Sequence, residues 1–420
     1  MVIPELMSHS PDIQMLRTRY REVREYSLTL ATPLSEEDQC IQSMTDTSPT
    51  KWHLAHTTWF FETMLLKRHV RGYQAFNPRF EYLFNSYYDA LGPRHPRSQR
   101  GLLTRPALHE VHAYRLYVDI AVLNLMSNAN TELWAEIEPI ITLGLQHEQQ
   151  HQELILTDIL HALSCNPLLP AYRIKPEPVP SQATQVGPIR WIDQPGGVIE
   201  VGCGATDGSF AFDNEKPRHP VFLGPYAISD RLVTCGEFAQ FIADDGYLRP
   251  EFWLSDGWAI LQANDWRHPA YWLPADDPRL HDLGESPHEW HVYGLDGTRP
   301  LEHAAAVSHL SFYEAAAYAQ WAGARLPTEF EWEAAFVAPG ISQMTGHVWQ
   351  WTRSSYDPYP GFKPLDGVAS EYNGKFMVGQ LVLRGSSVAT PAGHTRSTYR
   401  NFFPPSARWQ FSGLRLARDI

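Results

Sequence analysis

The hydrophobic and polar positions in the first part of the chain repeat with the period of an α-helix. The stretch SPDIQMLRTRYREVREYSLTLATPL begins with Ser10 and Pro11, a common helix start, and then places apolar residues at helical spacing. A second run, SPTKWHLAHTTWFFETMLLKRHV, opens on the same residue pair, and further helical runs cover about residues 105–126 and 133–163. Four such runs predict a helical bundle, whose facing helices can project side chains into a shared core.

The pattern changes after the fourth run. The stretch NPLLPAYRIKPEPVPSQATQVGP holds six prolines and little periodicity, which predicts a domain boundary near residue 185, between domains of residues 1–185 and 186–420. Beyond it, short apolar runs such as VIEVG, HPVFLGPYAIS and LVLRG alternate with Gly, Pro and Trp. Helical periodicity is convincing there only around residues 234–244 and 311–322. We therefore expect an all-α domain followed by an irregular α+β domain.

Composition narrows the class of partner. A chain of 420 residues that is 43% hydrophobic is long enough for more than one domain. Its 34 basic and 47 acidic residues give a net charge of -13, which disfavours nucleic acid and anionic membranes as main partners. A small-molecule partner is expected instead. The assembly is left open, a homo-oligomer included.

The N-terminal stretch and the cysteines indicate the expected cellular location and the state of the thiols. The N-terminal stretch MVIPELMSHSPDIQM lacks a basic segment followed by an apolar core, and no apolar stretch approaches the roughly 20 residues that span a bilayer. These features predict a cytoplasmic protein. No two cysteines have C-x-x-C spacing, so reduced thiols are expected rather than disulfides or a cysteine-bound zinc site. The four cysteines are Cys40, Cys165, Cys203 and Cys235.

Histidines on two predicted helices suggest a metal site. In HEQQHQEL, His147 and His151 are four residues apart and share one helical face, within reach of one metal ion. A pair of solvated histidines is the alternative. The stretch KWHLAHTTWFFE adds His53 and His56 on another helix, and we choose His56 as a third ligand. Three neutral imidazoles suit either zinc-water chemistry or iron that binds substrate and dioxygen, and the ligand count does not choose between them.

The connection between the second and third helices carries its own candidates. In NSYYDALGPRHPRSQRGLLTRP, Tyr87 and Tyr88 could donate a proton. The same stretch is rich in arginine, which can hold a carboxylate through paired hydrogen bonds, although docking of a partner protein is an alternative use. The arginines are Arg94, Arg97, Arg100 and Arg105.

A short stretch near the C-terminus is rich in aromatic residues. The sequence TYRNFFPPSARWQFSGLRLAR contains Asn401, Phe402, Phe403 and Trp409. Core packing is the ordinary use of such side chains. Aromatic faces also suit a quaternary ammonium group, so some of these residues could line a pocket for such a ligand.

These motifs together resemble a known enzyme family. The runs WHLAHTTWFFE, HEQQHQE, RLPTEFEWEAA, GHVWQWT, YPGF and RNFFPPSARWQFSGLRLAR are similar to the non-heme iron sulfoxide synthases of ergothioneine biosynthesis, the hercynine oxygenases. The resemblance extends from about residue 10 to 418. It implies a DinB-like four-helix bundle followed by a formylglycine-generating-enzyme-like domain, a variant of the C-type lectin fold, and hence an α plus α+β protein.

The resemblance assigns roles around the metal. It implies that His56, His147 and His151 bind Fe(II), with O2 as a co-substrate. It also implies that Gln150, from HEQQH, hydrogen-bonds the imidazole of hercynine, which is Nα-trimethylhistidine.

The resemblance also assigns residues that hold the two organic substrates. Asn401 and Phe402 match positions near the trimethylammonium and carboxylate end of hercynine. Arg97 and Arg100, spaced R-x-x-R, match the arginines that hold the carboxylate of the thiol substrate.

Two departures from the family pattern refine these expectations. Relatives that use γ-glutamylcysteine have an Asp where this chain has Phe403, and the motifs NSYY, NGKFM and NFFPP are similar instead to the branch that uses free cysteine. In that branch Tyr87 or Tyr88 is expected to be the acid. The second departure is that the last cysteine is Cys235, so the late cysteine pair with which formylglycine-generating enzymes bind copper is absent.

The implied reaction joins the sulfur of cysteine to the hercynine ring and gives hercynylcysteine sulfoxide. The nearest alternative is an enzyme that attaches selenium to hercynine on the same scaffold, as in selenoneine biosynthesis. A zinc-dependent DinB-like thiol transferase would share the histidines without needing dioxygen. A binding module built on the lectin-like domain is disfavoured, because it leaves the histidines and the arginine-rich connection without a task.

Overall fold

The chain forms two compact units in the computed structural model. The units are Met1–Ala162 and Leu163–Ile420. The domain boundary predicted near residue 185 lies at the end of residues 174–185, outside the described residues. The structure describes residues 11–173, 186–204, 210–283, 289–365 and 373–420.

The first unit consists of helices and their connections. Its helices are α1 (Pro11–Ala31), α2 (Thr50–Phe60), α3 (Lys67–His69), α4 (Phe80–Phe84), α5 (Leu108–Asn128) and α6 (Thr131–Ser164). The four predicted helical runs are therefore confirmed, with ends that differ by a few residues. Among the described residues, no helix combines the length and the apolar character that a membrane crossing requires.

The second predicted run contains a π-helical segment that its periodicity does not indicate. Helix α2 continues through a π-helical segment, Phe61–Leu66, into α3. Phe61 packs against α6 at Gly144, where a Cβ atom would lie only 2.6 Å from the Phe61 ring. A glycine at this position therefore allows α2 and α6 to approach each other closely, three residues before His147 on α6.

A buried cluster of charges holds α1, α5 and α6 together. Glu148 on α6 accepts hydrogen bonds from Arg24 of α1 and Arg115 of α5, both at 2.9 Å. Ser27 also donates to Glu148, at 2.7 Å, and Arg24 donates to Asp119 at 2.7 Å. Because Glu148 points toward α1 and α5, its neighbour His147, about 100° further round the helix, faces a different side of α6.

The second unit is mixed α and β, as predicted. Its strands are β1 (Trp191–Gln194), β2 (Gly197–Val201), β3 (His219–Leu223), β4 (Tyr226–Ser229), β5 (Trp272–Pro274), β6 (Trp290–Gly294), β7 (Gly297–Pro300), β8 (Trp349–Ser355), β9 (Leu381–Gly385), β10 (Asn401–Phe403), β11 (Ser412–Gly413) and β12 (Ala417–Asp419). They form sheets in the orders β1-β4-β12, β10-β9-β8-β11, β2-β3 and β5-β6-β7. The apolar run VIEVG overlaps β2, the run HPVFLGPYAIS spans β3 and β4, and the run LVLRG forms β9.

The helices of the second unit outnumber those predicted. They are α7 (Cys235–Ala243), α8 (Ser255–Asn264), α9 (Phe312–Trp321) and α10 (Glu329–Ala335). Helices α7 and α9 match the predicted positions, but the expectation of no others was wrong. Helix α10 is too short to show periodicity, although it begins with a capping box in which Thr328 and Glu331 hydrogen-bond each other's backbone. Helix α8 carries Gly257, which favours other conformations and weakens the helical signal.

Candidate metal centre

Three imidazoles from two helices of the first unit lie together. His56 comes from α2, and His147 and His151 come from α6, with one ring nitrogen of each within 4.8 Å of the others. The Nε2 atoms of His56 and His147 are 3.2 Å apart. Within the described part of the chain, this is the group of histidine, cysteine and acidic side chains whose geometry fits a metal ion. Its members are the three residues that the sequence singles out as ligands.

Burial keeps these imidazoles neutral. Desolvation lowers the pKa of His56 and His151 well below the ordinary value, and neighbouring imidazoles lower both further. Desolvation also lowers the pKa of His147, to about 3, although the adjacent Glu148 opposes the shift. A neutral imidazole has a lone pair for a metal, so no proton has to be displaced near pH 7.

Two stacked indole rings and one hydrogen bond hold the His56 imidazole. Its Nδ1 lies 2.6 Å from the carbonyl oxygen of Phe84, which can only accept, so Nδ1 carries the proton and Nε2 the lone pair. Trp52 stacks on one side, with ring centroids 4.6 Å apart and planes at 11°. Trp59 stacks on it as well, at 5.5 Å and 14°. Both indoles are buried, and they leave the His56 imidazole little freedom to rotate.

His53 lies beside the three imidazoles and is not one of the group. Its Nδ1 is 2.8 Å from Nδ1 of His151, and its Nε2 is 3.0 Å from Oδ2 of Asp158. The choice of His56 over His53 as the third candidate ligand therefore agrees with the geometry, while His53 occupies a position behind His151.

Arg100 is a buried cation close to this group. The side chain is 3% exposed, and its guanidinium carbon lies 3.4 Å from the centre of the Trp52 ring. It donates to the hydroxyl groups of Ser48, at 2.9 Å, and Ser86, at 3.1 Å. Among the described residues no carboxylate forms an ion pair with it, and desolvation lowers its pKa to about 9. A buried guanidinium with neutral partners is suited to receive an anionic ligand.

The other arginines of the connection have different surroundings. Arg97 donates to the hydroxyl of Tyr87 at 2.5 Å and to the carbonyl oxygen of Asp46. Arg94 is exposed and pairs with Asp89 at 3.1 Å. Arg105 is also exposed. The structure therefore places two of the four candidate arginines, Arg97 and Arg100, in partly or fully buried surroundings.

The two adjacent tyrosines point to different neighbours. Tyr88 is 3% exposed, and its ring lies 5.6 Å from the ring of Trp59. Tyr87 is half-buried and contacts the guanidinium groups of Arg94 and Arg97. Tyr88 is thus connected through Trp59 to the His56 side of the cluster, whereas Tyr87 belongs to the arginine-rich connection.

The remaining candidate residues lie in two places. Gln150 is half-buried on α6, between His147 and His151. Asn401, Phe402 and Phe403 form β10 in the second unit, at the edge of its four-stranded sheet.

Phe402 has aromatic neighbours in the second unit. Its ring stacks on Tyr356, with centroids 4.0 Å apart, and on Phe376 at 5.7 Å. Phe403 meets Trp409 edge to face at 5.8 Å. Arg400, directly before this strand, pairs with Glu329 through two hydrogen bonds and so anchors its start.

Several residues around the three imidazoles are not predicted from the sequence motifs. Trp52 and Trp59 precede and follow His56 by four and three residues, a helical spacing that could have indicated one shared face. Asp158 follows His151 by seven residues and shares its face of α6 for the same reason. The buried partners of Glu148 have no comparable signal, because they come from distant helices.

Comparisons with known proteins identify the family. The chain is 30% identical to "Hercynine oxygenase" of Mycobacterium tuberculosis over 429 residues, which cover 92% of this chain and 94% of that protein. It is also 30% identical to "Hercynine oxygenase" of Mycolicibacterium thermoresistibile, over 89% of this chain and 88% of that protein. The "Formylglycine-generating enzyme" of Streptomyces coelicolor is 32% identical over 39% of this chain and 51% of that protein.

The second unit also matches a family model. The Sulfatase-modifying factor enzyme 1-like domain matches residues 178–338 and 337–420. This match confirms the predicted fold class, a helical region followed by a formylglycine-generating-enzyme-like domain. With relatives matched over nearly its whole length, the chain belongs to the hercynine oxygenase family.

Proposed function

We propose that the protein is an O2-dependent, Fe(II)-containing sulfoxide synthase that joins the sulfur of cysteine to the imidazole ring of hercynine and forms hercynylcysteine sulfoxide. The observation that carries this proposal is the group of three neutral imidazoles, His56 and His147, which are buried, and His151, which is half-buried. The names of the two long relatives support hercynine as the substrate.

The donor set fits Fe(II). Three neutral nitrogen ligands leave the charge of a divalent ion uncompensated and leave coordination positions open for other ligands. Bound iron would supply the chemistry with dioxygen that amino-acid side chains lack. His56, His147 and His151 would hold the ion, and Trp52 and Trp59 keep one of these ligands in a fixed orientation.

The overall reaction balances with one dioxygen molecule. A C–H bond of the hercynine ring and the S–H bond of cysteine are replaced by a C–S bond, which removes two electrons. Oxidation of the sulfur to the sulfoxide removes two more. Dioxygen accepts the four electrons, with one oxygen atom entering the sulfoxide and the other leaving as water. One O2 is therefore consumed for each product molecule.

The thiol substrate binds through its carboxylate in this proposal. Arg100 is the principal contact, because it is buried and its side-chain partners are the neutral hydroxyls of Ser48 and Ser86. Arg97 is the second contact, and its hydrogen bond to Tyr87 orients it. When fixed guanidinium groups hold the carboxylate of cysteine, the thiol of the same molecule is restricted to one orientation. Less orientational entropy then has to be lost to reach the reactive geometry.

Hercynine binds through its ring and its charged end. Gln150 hydrogen-bonds the imidazole from its position between two of the metal ligands. In the second unit, the family resemblance assigns Asn401 and Phe402 to the trimethylammonium and carboxylate end, and aromatic faces attract a quaternary ammonium group. Phe403 stands where dipeptide-using relatives carry a carboxylate, which favours a small thiol such as free cysteine.

Tyr88 is the proton donor in this proposal. It is buried and packs on Trp59, which in turn stacks on His56, whereas Tyr87 is engaged by Arg97. A phenol in such surroundings can deliver a proton without admitting bulk water.

The first experiment measures oxygen uptake by the Fe(II)-loaded protein with hercynine and either cysteine, γ-glutamylcysteine or no thiol. Mass spectrometry identifies the products. Uptake of one O2 per hercynylcysteine sulfoxide, preferred with cysteine, is expected. Preference for γ-glutamylcysteine would contradict the assigned thiol. Absence of any hercynine-dependent uptake would contradict the assigned reaction and favour selenium transfer or zinc-dependent thiol transfer.

A further inference from the structure

His53 bridges a proposed metal ligand and a buried carboxylate. Its two ring nitrogens lie 2.8 Å from Nδ1 of His151 and 3.0 Å from Oδ2 of Asp158. His53 is 2% exposed and Asp158 is 5% exposed, so solvent does not replace either contact. Neither residue belongs to the group of three imidazoles.

The direction of these hydrogen bonds follows from chemistry. A carboxylate only accepts, so the proton between His53 and Asp158 belongs to Nε2 of His53. Neutral His53 then has a bare Nδ1, which accepts the proton carried by Nδ1 of His151. His151 in this tautomer keeps its lone pair on Nε2, which is the atom left to bind a metal.

Asp158 is itself held from a second direction. Its Oδ2 accepts a hydrogen bond from the backbone N–H of Ser48 at 2.8 Å, two residues before α2 begins. The position of the carboxylate is therefore tied to both α6, on which it lies, and the start of α2. Since His53 and His56 are on α2, the same contact fixes the spacing between the two helices that supply the candidate ligands.

The hydroxyl of Ser48 extends this chain of contacts. It accepts a hydrogen bond from Arg100 at 2.9 Å, so the chain runs from Arg100 through Ser48, Asp158 and His53 to His151. The residue that would hold the thiol carboxylate and one that would hold the metal are thus parts of one buried hydrogen-bonded network.

We infer that His53 and Asp158 are positioning residues that set the tautomer and the ring orientation of His151 at the metal site. The inference rests on the proposed function, because it concerns the same site. His56 receives the equivalent support from a backbone carbonyl, that of Phe84. Loss of such outer partners typically weakens metal binding about 10- to 100-fold.

The test compares variants that move or remove the acceptor for His151. His53→Asn keeps a carbonyl oxygen near the position of Nδ1, and His53→Gln places it near the position of Nε2. Asp158→Asn keeps the shape of the carboxylate and removes its charge. His109→Asn is the control, because His109 is an exposed histidine on α5.

The measurement is anaerobic Co(II) and Fe(II) affinity by competition with a chromophoric chelator, together with the visible spectrum of bound Co(II). Circular dichroism and urea unfolding establish that each variant is folded. We expect His53→Gln to weaken binding about 10- to 100-fold and to change the Co(II) spectrum. Asp158→Asn should weaken it in the same direction, while His53→Asn and the control should stay closer to wild type.

The outcomes separate this inference from the proposed function. Wild-type affinity and spectrum in folded His53→Gln and Asp158→Asn would overturn the positioning role and leave the metal site in place. Metal binding by the wild type that His56→Ala does not reduce would overturn both. If His53→Gln does not fold, Asp158→Asn decides the question alone, because it preserves the size of the side chain while it removes the charge and replaces one acceptor oxygen by a donor NH2 group.

Discussion

The guanidinium of Arg100 lies 3.4 Å from the centre of the Trp52 ring. The same indole stacks on His56 with nearly parallel planes, 11° apart. A cation available to an anionic substrate is thus packed on a ring that orients a proposed metal ligand. Arginine suits this position because its planar guanidinium can stack and donate hydrogen bonds at the same time.

Arg100→Lys is therefore expected to impair binding of the thiol. An ammonium group keeps the charge but loses the stacking on Trp52 and the paired hydrogen bonds to Ser48 and Ser86. We expect KM for cysteine to rise roughly 10- to 100-fold, the effect of losing one or two hydrogen bonds to a charged group, with a smaller change in KM for hercynine. Steady-state kinetics with each substrate varied in turn measure this.

Arg94→Lys is the matched control for this substitution. Arg94 lies in the same connection but is exposed and pairs with Asp89. Exposed ion pairs of this kind contribute little to stability, so the substitution should not disturb the fold, and the KM values for both substrates should stay near those of the wild type. Equal effects of the two substitutions would contradict the role given to Arg100.

The two tyrosines should respond differently to removal of their hydroxyl groups. Tyr88→Phe removes the proposed acid and keeps the ring contact with Trp59. We expect kcat for sulfoxide formation to fall about 10²- to 10⁴-fold with little change in Co(II) affinity. Tyr87→Phe removes the hydroxyl that orients Arg97 and should chiefly raise KM for the thiol. Product analysis and kinetics of both variants check this, and the reverse pattern would transfer the acid role to Tyr87.

A buried histidine of the second unit predicts a dependence of stability on pH. His309 is 4% exposed, and its desolvation lowers its pKa from 6.5 to about 4. Between these values the unfolded chain binds a proton that the folded chain does not, so acid favours unfolding. This group alone should cost about 1 kcal/mol of stability on going from pH 7.5 to 5.5.

His309→Asn tests this expectation. His309 has a backbone φ of 63°, a conformation that asparagine tolerates better than most residues, so the substitution adds little strain. We expect the variant to lose less stability than the wild type over the same pH interval, as measured by urea unfolding at pH 7.5 and 5.5. An identical pH dependence in both proteins would contradict the lowered pKa.

The sequence predicts the helices and the candidate ligands of this site, but it predicts fewer of the residues that hold these ligands in position. Helical periodicity locates α2 and α6, and the four-residue spacing of His147 and His151 places both on one face. Spacing alone does not decide between His53 and His56. In the structure His56 lies beside His147 and His151, whereas His53 contacts His151 and Asp158, both on α6. Such contacts join residues distant in sequence, and no local pattern records them.

The same limit applies to the fold of the second unit. Short apolar runs locate β2, β3 and β9, although half-buried and exposed residues alternate along β2 and not along β9. Helix α10 is missed because seven residues make only two turns, and its capping box is the better signal. The pairing order β10-β9-β8-β11 depends on contacts between distant segments, so it does not follow from any one stretch.

Glu148 should be more important for stability than its position in the HEQQH motif suggests. Burial alone would raise its pKa, but Arg24 and Arg115 outweigh burial and lower the pKa from 4.5 to about 2. The carboxylate therefore stabilises the fold above about pH 4.5, and this contribution is lost as the pH falls toward 2. Glu148→Gln leaves two buried guanidinium groups without their shared charge.

We expect Glu148→Gln to reduce the free energy of unfolding by about 3 to 5 kcal/mol at pH 7, as measured by urea denaturation. Glu81→Gln is the control, because Glu81 forms a solvent-accessible ion pair with Lys67. Its loss should reduce the free energy of unfolding by less than about 1 kcal/mol. A loss as small as that of the control would mean that the charge of Glu148 is dispensable. Since Glu148 directs its face of α6 toward α1 and α5, a destabilised variant should also bind Co(II) more weakly through His147 and His151.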